Sequence, residues 1–398
     1  MATMQAQTPT ESSKANPTES AQQQALAVQA LAQRIRAAKE AGQVLRVRGG
    51  GSKDFYGQPL RGEVLDTSAL NHVLSYEPTE LVIRVGAGMK LDALTQLLAT
   101  QQQCLPCDPP LFGAATVGGM VASALSGPAR ASVGGVRDFV LGIEMLDGAG
   151  QALRFGGQVM KNVAGYDMSR LMVGSLGTLG VLTEVSLKVL PIATAQATLK
   201  LACTQPQALT MLNQWGGQPL PLNASTWLAE PDQGALYVRL RGAKAAVDTA
   251  CQTMAAQAAT NGTTCTPVDA QQAEALWTSW REQSHDFFKP KSDEHCLWRL
   301  SVAQTAPVIA LALDTPDTLV EWHGAQRWVW APASQADVLR QAAQEAGGHA
   351  TLFRVSHSGG EADKAVGVFQ APQQVVADIG QRLREQLDAG GIFATQRL

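Results

Sequence analysis

Apolar residues recur along this chain with two spacings, and the elements that they predict change in character near residue 193. The segment from Ala25 to Gly42 carries apolar residues on one side at helical spacing and predicts an amphipathic helix that ends at the glycine. Val44 to Arg48 mixes apolar and basic residues and predicts a strand. A longer strand is predicted from Val181 to Leu190, where apolar residues alternate until Pro191. Short strands and helices alternate between these segments.

Beyond Pro191 the pattern predicts a second set of strands and helices. The predicted strands are Ala197–Ala202, Ala235–Leu240, Cys296–Val302 and Arg327–Trp330. The predicted helices are Ala243–Ala259, Ser334–Ala346 and Gln373–Leu387. A loop rich in glycine and proline is expected between Trp215 and Asn223. The fold class is therefore α+β, and 398 residues suffice for two sizeable cores.

These patterns divide the chain into four segments. Residues 1–22 are rich in Gln, Thr, Ser and Ala without the hydrophobic core of a signal peptide, so we expect a disordered tail. The first domain spans residues 23–193 and the second spans residues 194–386, with a C-terminal tail at residues 387–398. The net charge of −3 gives no reason to expect nucleic acid or an anionic membrane surface. No apolar run approaches the roughly 18 residues of a spanning helix, so we expect a cytoplasmic protein that meets the inner membrane only through partners.

Glycine-bearing segments in the first domain are the strongest functional signal. Glycines in tight loops let backbone amides approach a phosphate closely, and several such loops on one dinucleotide are more informative than one. The segments are Arg48-Gly49-Gly50-Gly51-Ser52, Ala115-Thr116-Val117-Gly118-Gly119, Ser126-Gly127, Lys161-Asn162-Val163-Ala164-Gly165-Tyr166-Asp167 and Gly174-Ser175-Leu176-Gly177-Thr178-Leu179-Gly180.

The first two segments have distinct local meanings. A strand that runs into Gly49, Gly50 and Gly51 is typical of a diphosphate site, although a flexible surface turn is the alternative. Thr116 can cap a helix on which Gly118 and its neighbour leave one face bare for a ligand or another backbone.

The nicotinamide fingerprint is missing from this chain. Gly86-Ala87-Gly88 begins like one, but the third glycine is absent, and there is no Walker lysine motif. Separated glycine loops without that fingerprint indicate flavin rather than NAD.

These motifs carry a family resemblance. Residues 25–193 resemble the FAD-binding domain of the vanillyl-alcohol oxidase and para-cresol methylhydroxylase (PCMH) type. The shared marks are the loop order, Asp108-Pro109-Pro110, Arg137-Asp138 before Val140-Leu141-Gly142, and the Gly-Ser-x-Gly-Thr-x-Gly block. More narrowly, the segment Lys161–Asp167 and Gly324-Ala325-Gln326-Arg327-Trp328 make the chain similar to the E subunits of bacterial three-subunit glycolate oxidases.

The resemblance implies a two-subdomain PCMH-type FAD-binding domain followed by a smaller α+β cap domain. It implies that the first loop holds the FAD diphosphate and that other loops line the adenine and isoalloxazine edges. The implied cofactor-binding residues are Gly49, Gly50, Gly51, Ser52, Pro109, Thr116, Gly118, Gly119, Ser126, Gly127, Gly177, Thr178, Gly180 and Val181. Some relatives attach FAD through a histidine near the first loop. This chain has Ser52 there and no histidine before His72, so noncovalent FAD is expected.

The C-terminal tail resembles the closing motif of FAD-linked oxidases, which returns to the flavin domain. Ala394, Thr395 and Gln396 depart from the Asn-Pro-Gly-Arg of the family form.

Oxidation of a 2-hydroxy acid by flavin needs a cation for the carboxylate and a base for the hydroxyl proton. Arg299 and Arg327 lie on predicted strands among aromatic residues and are the candidates, although a stacked or snorkelling arginine is the favoured alternative for each. The Gly-Asp-Gly-Asn-x-His metal segment of the related dehydrogenases is absent and the histidines are dispersed, so no metal is expected.

Two further groups of residues allow more than one interpretation. Cys104 and Cys107 have the spacing of a redox or metal pair, but no second pair or histidine cluster completes a zinc site, which favours ordinary thiols and leaves reversible disulfide formation open. Six of the eight tryptophans lie between Trp277 and Trp330 and favour a core, with a subunit interface as the alternative.

The sequence therefore predicts an FAD-binding subunit of a glycolate oxidase-type complex that converts glycolate to glyoxylate. By the resemblance, its partners are a larger FAD-containing catalytic subunit and an iron–sulfur subunit that passes electrons onward. One alternative is a self-sufficient FAD-linked dehydrogenase of D-2-hydroxy acids such as D-lactate. Another is a scaffold with a flavin fold and no turnover.

Overall fold

A computed structural model describes residues 17–157, 167–230, 233–311 and 318–398. In its first part, α1–α5 are Pro17–Glu40, Leu91–Ala99, Val117–Ser123, Arg130–Val133 and Met168–Leu171. The strands β1–β9 are Leu45–Arg48, Glu63–Asp66, Val73–Glu77, Val82–Gly86, Gln103–Cys104, Val140–Leu146, Ala152–Gly156, Val181–Lys188 and Leu190–Pro191.

In the second part, α6–α10 are Gln205–Gly216, Lys244–Thr260, Ala270–Arg281, Ala336–Glu345 and Gln374–Leu387. The strands β10–β17 are Ala195–Ala202, Leu222–Leu228, Ala235–Gly242, Thr264–Pro267, Cys296–Ser301, Thr318–Glu321, Gln326–Ala331 and His349–Arg354. Short 3₁₀ turns are Pro78–Glu80, Val136–Asp138, Asp286–Phe288, Trp322–Gly324, Ala333–Gln335 and Gly360–Val366.

The first part is built on an antiparallel sheet of five described strands in the order β3-β4-β8-β6-β7. Helices α2 and α3 bury their apolar sides against this sheet, with Leu94 and Met120 among the fully enclosed residues. A small parallel pair, β1 with β2, stands beside it and packs through Leu45 on Ile35 of α1. The glycine loop leaves this pair at the end of β1.

The second part is built on one antiparallel sheet of eight described strands in the order β13-β10-β12-β11-β15-β16-β14-β17. Helices α6, α7 and α9 cover one face. The opposite face is aromatic, because the two-residue period of β16 sends Trp328 and Trp330 there while Val329 packs under α9. This aromatic face also contacts Tyr56 and Leu125 of the first part. The second unit, which we expected to be the smaller, thus holds the larger sheet.

Polar contacts join the two parts beneath the aromatic face. Arg239 of β12 forms a buried ion pair with Asp108. The Glu282 carboxylate accepts hydrogen bonds from the amides of Leu111, at 3.1 Å, and Phe112, at 2.7 Å. These contacts fix the loop that follows Asp108 against the second part.

Helix α1 corrects the predicted N-terminal tail. The helix begins at Pro17, so residues 17–22, which we assigned to a disordered tail, are helical. Its first turns gain tertiary contacts, since Ser20 and Gln24 are buried and the Gln24 side-chain amide donates to the Thr183 carbonyl at 3.0 Å. A polar composition does not reveal such contacts. The predicted boundary between residues 193 and 194 stays a prediction, although the change from the five-stranded to the eight-stranded sheet lies between Lys188 and Ala195.

Candidate functional site

The loop from Gly49 to Lys53 forms one wall of a cavity of about 740 Å³, which we call the glycine-loop cavity. Its other walls come from the start of α3 and from the turn that precedes β8. The lining residues are Val47, Arg48, Gly49, Gly50, Gly51, Ser52, Lys53, Asp54, Thr67, Ala87, Thr116, Gly118, Gly119, Ala122, Ser123, Ser175, Leu176, Gly177, Gly180, Leu182 and Arg397.

The backbone of this loop is shaped for an anion. None of the amides from Gly49 to Lys53 donates a hydrogen bond to another residue that the structure describes. Gly51 has φ 71°, a conformation that favours glycine. A Cβ at Gly50 would overlap the Ala114 carbonyl group, so the loop can approach this neighbour only without a side chain. A run of unpaired amides in a glycine loop fits the oxygens of a diphosphate.

Cations dominate the charge around the loop. Arg48, Lys53 and Arg397 line the cavity. Asp54, the one carboxylate among the described lining residues, is paired with the Arg48 guanidinium at 2.7 Å. Burial lowers the pKa of Lys53 to about 8, although the Glu282 carboxylate opposes this shift. An excess of positive charge beside unpaired amides stabilises a bound diphosphate.

Helix α3 contributes close backbone approach rather than amide donors. The Thr116 side chain caps this helix and accepts from the Gly119 amide at 3.2 Å, as the sequence predicts. The Gly118 amide donates to the Ala87 carbonyl at 2.7 Å, so it too is already paired. A Cβ at Gly118 would lie 2.9 Å from the Ala87 Cβ atom. The two glycines therefore bring the helix against β4 and leave the cavity wall bare.

The cavity brings together nine of the predicted cofactor residues and leaves out five. Gly49, Gly50, Gly51, Ser52, Thr116, Gly118, Gly119, Gly177 and Gly180 line it, while Pro109, Ser126, Gly127, Thr178 and Val181 do not. Thr178 is buried and donates to the Ser175 carbonyl at 2.7 Å, and Val181 lies in the core. At Gly127 a Cβ would overlap the Asp108 carbonyl oxygen, so backbone packing explains this glycine. Direct contact of any of the fourteen residues with a cofactor stays a prediction.

Several lining residues were not predicted from the sequence. Lys53 and Asp54 directly follow the glycine run, which is a signal that could have identified them. Arg397 could not have been found in this way, because it reaches the loop from 344 residues further along the chain. Its guanidinium donates to the carbonyl groups of Lys53 at 2.8 Å and Tyr56 at 2.8 Å. The predicted segment Lys161–Asp167 lies outside the described residues except for Asp167, which caps α5.

A second cavity of about 830 Å³ lies between the two parts, and we call it the interlayer cavity. It shares Ser123 and Leu176 with the glycine-loop cavity, so the two adjoin. Its walls include the cations of Arg130 and Arg299, together with His349. Arg130 stacks on Trp322, with 4.5 Å between the guanidinium carbon and the ring centroid.

A third cavity of about 350 Å³, the Glu321 cavity, lies on the aromatic face. Arg299 lines both this cavity and the interlayer cavity. Ser126 and Gly127, predicted at the flavin edge, are also on its wall. Burial raises the pKa of Glu321 to about 7 despite hydrogen bonds from Trp328 and Gln326.

The two candidate arginines have different surroundings. The Arg299 guanidinium donates to the Tyr56 hydroxyl at 2.9 Å and stacks on the rings of Tyr56 and Phe353. Arg327 is buried, donates to the carbonyl groups of Gly324 and Ala306, and lines none of the three cavities. The structure therefore supports a structural role for Arg327, whereas Arg299 remains a candidate at a cavity wall.

The part of the chain that the structure describes contains no cluster of metal ligands and no disulfide-bonded cysteine pair. No three His, Cys, Asp or Glu side chains there could hold a metal ion together. Cys104 and Cys107 are unpaired thiols, and burial raises the pKa of both. The described helices include none that is long and apolar enough to cross a membrane.

Comparison with known proteins gives two kinds of similarity. A family model described as an FAD binding domain matches residues 24–156. The chain is 39% identical over 372 residues to "Glycolate oxidase subunit GlcE" of Escherichia coli (strain K12), which covers 93% of this chain and 97% of that protein. It is 33% identical over 138 residues to "Glycolate oxidase subunit GlcD" of Bacillus subtilis (strain 168), which covers 35% of this chain but only 29% of that protein.

A solved structure of alkyldihydroxyacetonephosphate synthase shares the fold. Its TM-score is 0.67 at 15% identity, and the match covers 92% of this chain and 75% of that one. At this identity the similarity concerns the fold alone, and it confirms the α+β architecture of the PCMH-type FAD-binding fold.

Proposed function

Because the chain belongs to the glycolate oxidase subunit GlcE family and is therefore an FAD-dependent oxidoreductase subunit acting on CH–OH groups, we propose that it serves the oxidation of glycolate to glyoxylate and works only within a complex. Its partners in this proposal are a larger FAD-containing catalytic subunit and an iron–sulfur subunit that takes the electrons onward. Contact with the inner membrane comes through these partners.

The glycine-loop cavity carries the proposal. The unpaired amides from Gly49 to Lys53, with the cations of Arg48, Lys53 and Arg397, fit the diphosphate of FAD. The adjoining interlayer cavity gives room for the rings. Among the residues that the structure describes, no histidine lines the glycine-loop cavity, which supports noncovalent attachment. Bound FAD supplies a two-electron acceptor for the hydrogen of a CH–OH carbon.

The need for partners rests on what this chain's residues can do to a hydroxy acid. Removing the hydroxyl proton and holding the carboxylate requires a placed base and a placed cation. Among the described residues, no group of ligands could hold a metal ion to assist these steps. Arg327, one of the two candidate cations, is enclosed in the second part and bonded to carbonyl groups.

A self-sufficient hydroxy-acid dehydrogenase is the second candidate. The observation that favours it is the interlayer cavity, which adjoins the glycine-loop cavity and is lined by Arg299, Arg130 and His349. In that case Arg299 would hold the substrate carboxylate and His349 would take the hydroxyl proton.

The visible absorption spectrum of the purified chain, before and after anaerobic glycolate, tests the proposal. We expect flavin bands that glycolate leaves unchanged in the isolated chain and bleaches once the partner subunits are added. Bleaching of the isolated chain would overturn the requirement for partners and favour the dehydrogenase. A chain that takes up no FAD on reconstitution would overturn the cofactor site and favour a scaffold.

A further inference from the structure

The Glu321 cavity contains polar atoms whose partners are missing from the described residues. The Trp280 indole Nε1, the Arg299 Nε and the Gln326 Oε1 atoms are buried and form no hydrogen bond, and all three side chains line this cavity. Trp280 and Gln326 are only 2% and 3% exposed. An unsatisfied buried polar atom costs about 1–3 kcal/mol, so three on one wall indicate a group that binds there.

Glu321 adds a further acceptor to the same wall. Its Oε2 atom accepts both the Gln326 side-chain amide, at 2.9 Å, and the Trp328 indole, at 2.6 Å. No described residue donates to its Oε1 atom. Because Glu321 is only 4% exposed, a ligand in the cavity is the available donor for that oxygen.

The two kinds of unpaired atom define the ligand. The indole N–H and the guanidinium N–H are donors, and one of them is cationic, so together they select a carboxylate. The free oxygens of Gln326 and Glu321 are acceptors, and they select a hydroxyl group. About 350 Å³ admits a ligand of only a few heavy atoms, or water molecules.

We propose that the Glu321 cavity binds a small 2-hydroxy carboxylate, with its carboxylate on Trp280 and Arg299 and its hydroxyl on Gln326 and Glu321. The choice of glycolate as its occupant rests on the function proposed above. The Glu321 cavity does not include the diphosphate loop. It shares Arg299 with the interlayer cavity, and the interlayer cavity in turn adjoins the glycine-loop cavity. Binding there requires no turnover by the isolated chain.

Two tryptophans on the same helix allow a matched test. Trp280→Phe removes the unpaired indole N–H but keeps an aromatic ring. Trp277→Phe, one turn earlier on α8, removes an N–H that donates to the Thr198 hydroxyl at 3.0 Å and does not line the cavity. Titration calorimetry of the full chain, both loaded with FAD and free of it, with glycolate, and with acetate as the analogue without a hydroxyl, measures binding. The flavin spectrum of the same samples reports folding and cofactor retention.

We expect glycolate to bind the wild type and the Trp277→Phe variant equally, and to bind Trp280→Phe about tenfold more weakly because one bond to an anion is lost. Acetate should bind the wild type about tenfold more weakly than glycolate.

Three results would overturn the inference. They are the absence of glycolate binding in a chain whose flavin spectrum is intact, equal losses in the two variants, and glycolate binding that FAD abolishes. The first means a cavity filled by water only, and the last assigns the cavity to the cofactor. A chain without flavin bands would instead contradict the proposed function, so the two failures are distinguishable.

Discussion

At the scale of single residues, Gly50 is the glycine, among those that the structure describes, at which an added Cβ would meet a neighbour most closely. Because a Cβ there would overlap the Ala114 carbonyl group, Gly50→Ala should displace the loop and abolish flavin absorbance in the purified chain. Gly380→Ala is the matched control, since its Cβ meets nothing within 4 Å and α10 should gain about 1 kcal/mol. Retention of normal FAD binding by Gly50→Ala would contradict the role of this loop.

Glu321 should make stability depend on pH. Burial raises its pKa from 4.5 to about 7, so the folded chain binds this proton more tightly than the unfolded chain does. The protonated Glu321 side chain therefore makes its full contribution to folding stability below pH 4.5, and this contribution is lost as pH rises through 7. The unfolding free energy of the wild type, relative to that of Glu321→Gln, should fall by about 3 kcal/mol between pH 4 and pH 8.

Chemical unfolding at the two pH values measures this difference. Glu345→Gln, which changes an exposed carboxylate on α9, is the control and should parallel the wild type. Parallel behaviour of Glu321→Gln as well would show that Glu321 is not the group responsible.

Sequence reasoning identified residues that line the glycine-loop cavity where their position depends on local chain geometry. The run Gly49–Ser52 and the cap Thr116 lie in the cavity wall because a strand end and a helix start place them there. Arg327 shows the limit of the same reasoning. An arginine among aromatic residues gives one sequence pattern whether it faces a ligand or is enclosed by carbonyl groups.

At the scale of elements, α3 depends on its cap. Thr116→Ala should cost about 1 kcal/mol in unfolding free energy, because the Gly119 amide loses its acceptor. Thr116→Ser keeps the hydroxyl and should restore most of that loss. The Thr116 side chain also lies against Gly49, where an added Cβ would meet it. Thr116→Ala should therefore lower the flavin affinity as well. Equal stability of the Ala and Ser variants would show that the cap contributes nothing.

Most predicted elements have ends within two residues of the observed ones, but α1 begins at Pro17, eight residues before the predicted Ala25. Helix Lys244–Thr260 and strand Ala235–Gly242 match the predictions to within two residues. The helices and strands at Gln205–Gly216, Ala270–Arg281, Leu222–Leu228, Thr264–Pro267, Thr318–Glu321 and His349–Arg354 were not predicted. Several of these strands are short, and their pairing with distant partners determines their existence more than their own pattern does.

At the scale of the whole molecule, Arg397 ties the C-terminal segment to the glycine loop. Arg397→Met should weaken FAD binding about tenfold, because the carbonyl groups of Lys53 and Tyr56 lose their shared donor and the loop loosens. Arg382→Met, on the exposed side of α10, should leave affinity unchanged. Fluorescence titration of the apo-chain with FAD measures both. Equal affinities would remove Arg397 from the site.

The C-terminal segment packs on the first part, although Ala394, Thr395 and Gln396 depart from the family's closing motif. The Leu45 amide donates to the Ile392 carbonyl at 2.7 Å, and Phe393 is fully buried beside Ile35. Sequence comparison of the motif alone could not show this, because the contacts are made by backbone atoms and by the apolar residues Ile392 and Phe393, which precede the changed positions.

The tie between Arg397 and the loop has a consequence for how the protein is made. A ribosome synthesises the glycine loop early, but the segment that fastens it is added 344 residues later. A nascent chain that stops short of Arg397 carries the loop amides that we propose to bind the diphosphate, but it lacks the guanidinium that bonds to the Lys53 and Tyr56 carbonyl groups. Cofactor capture is therefore expected to follow the synthesis of Arg397, and products that terminate before this residue should be poor competitors for cellular FAD.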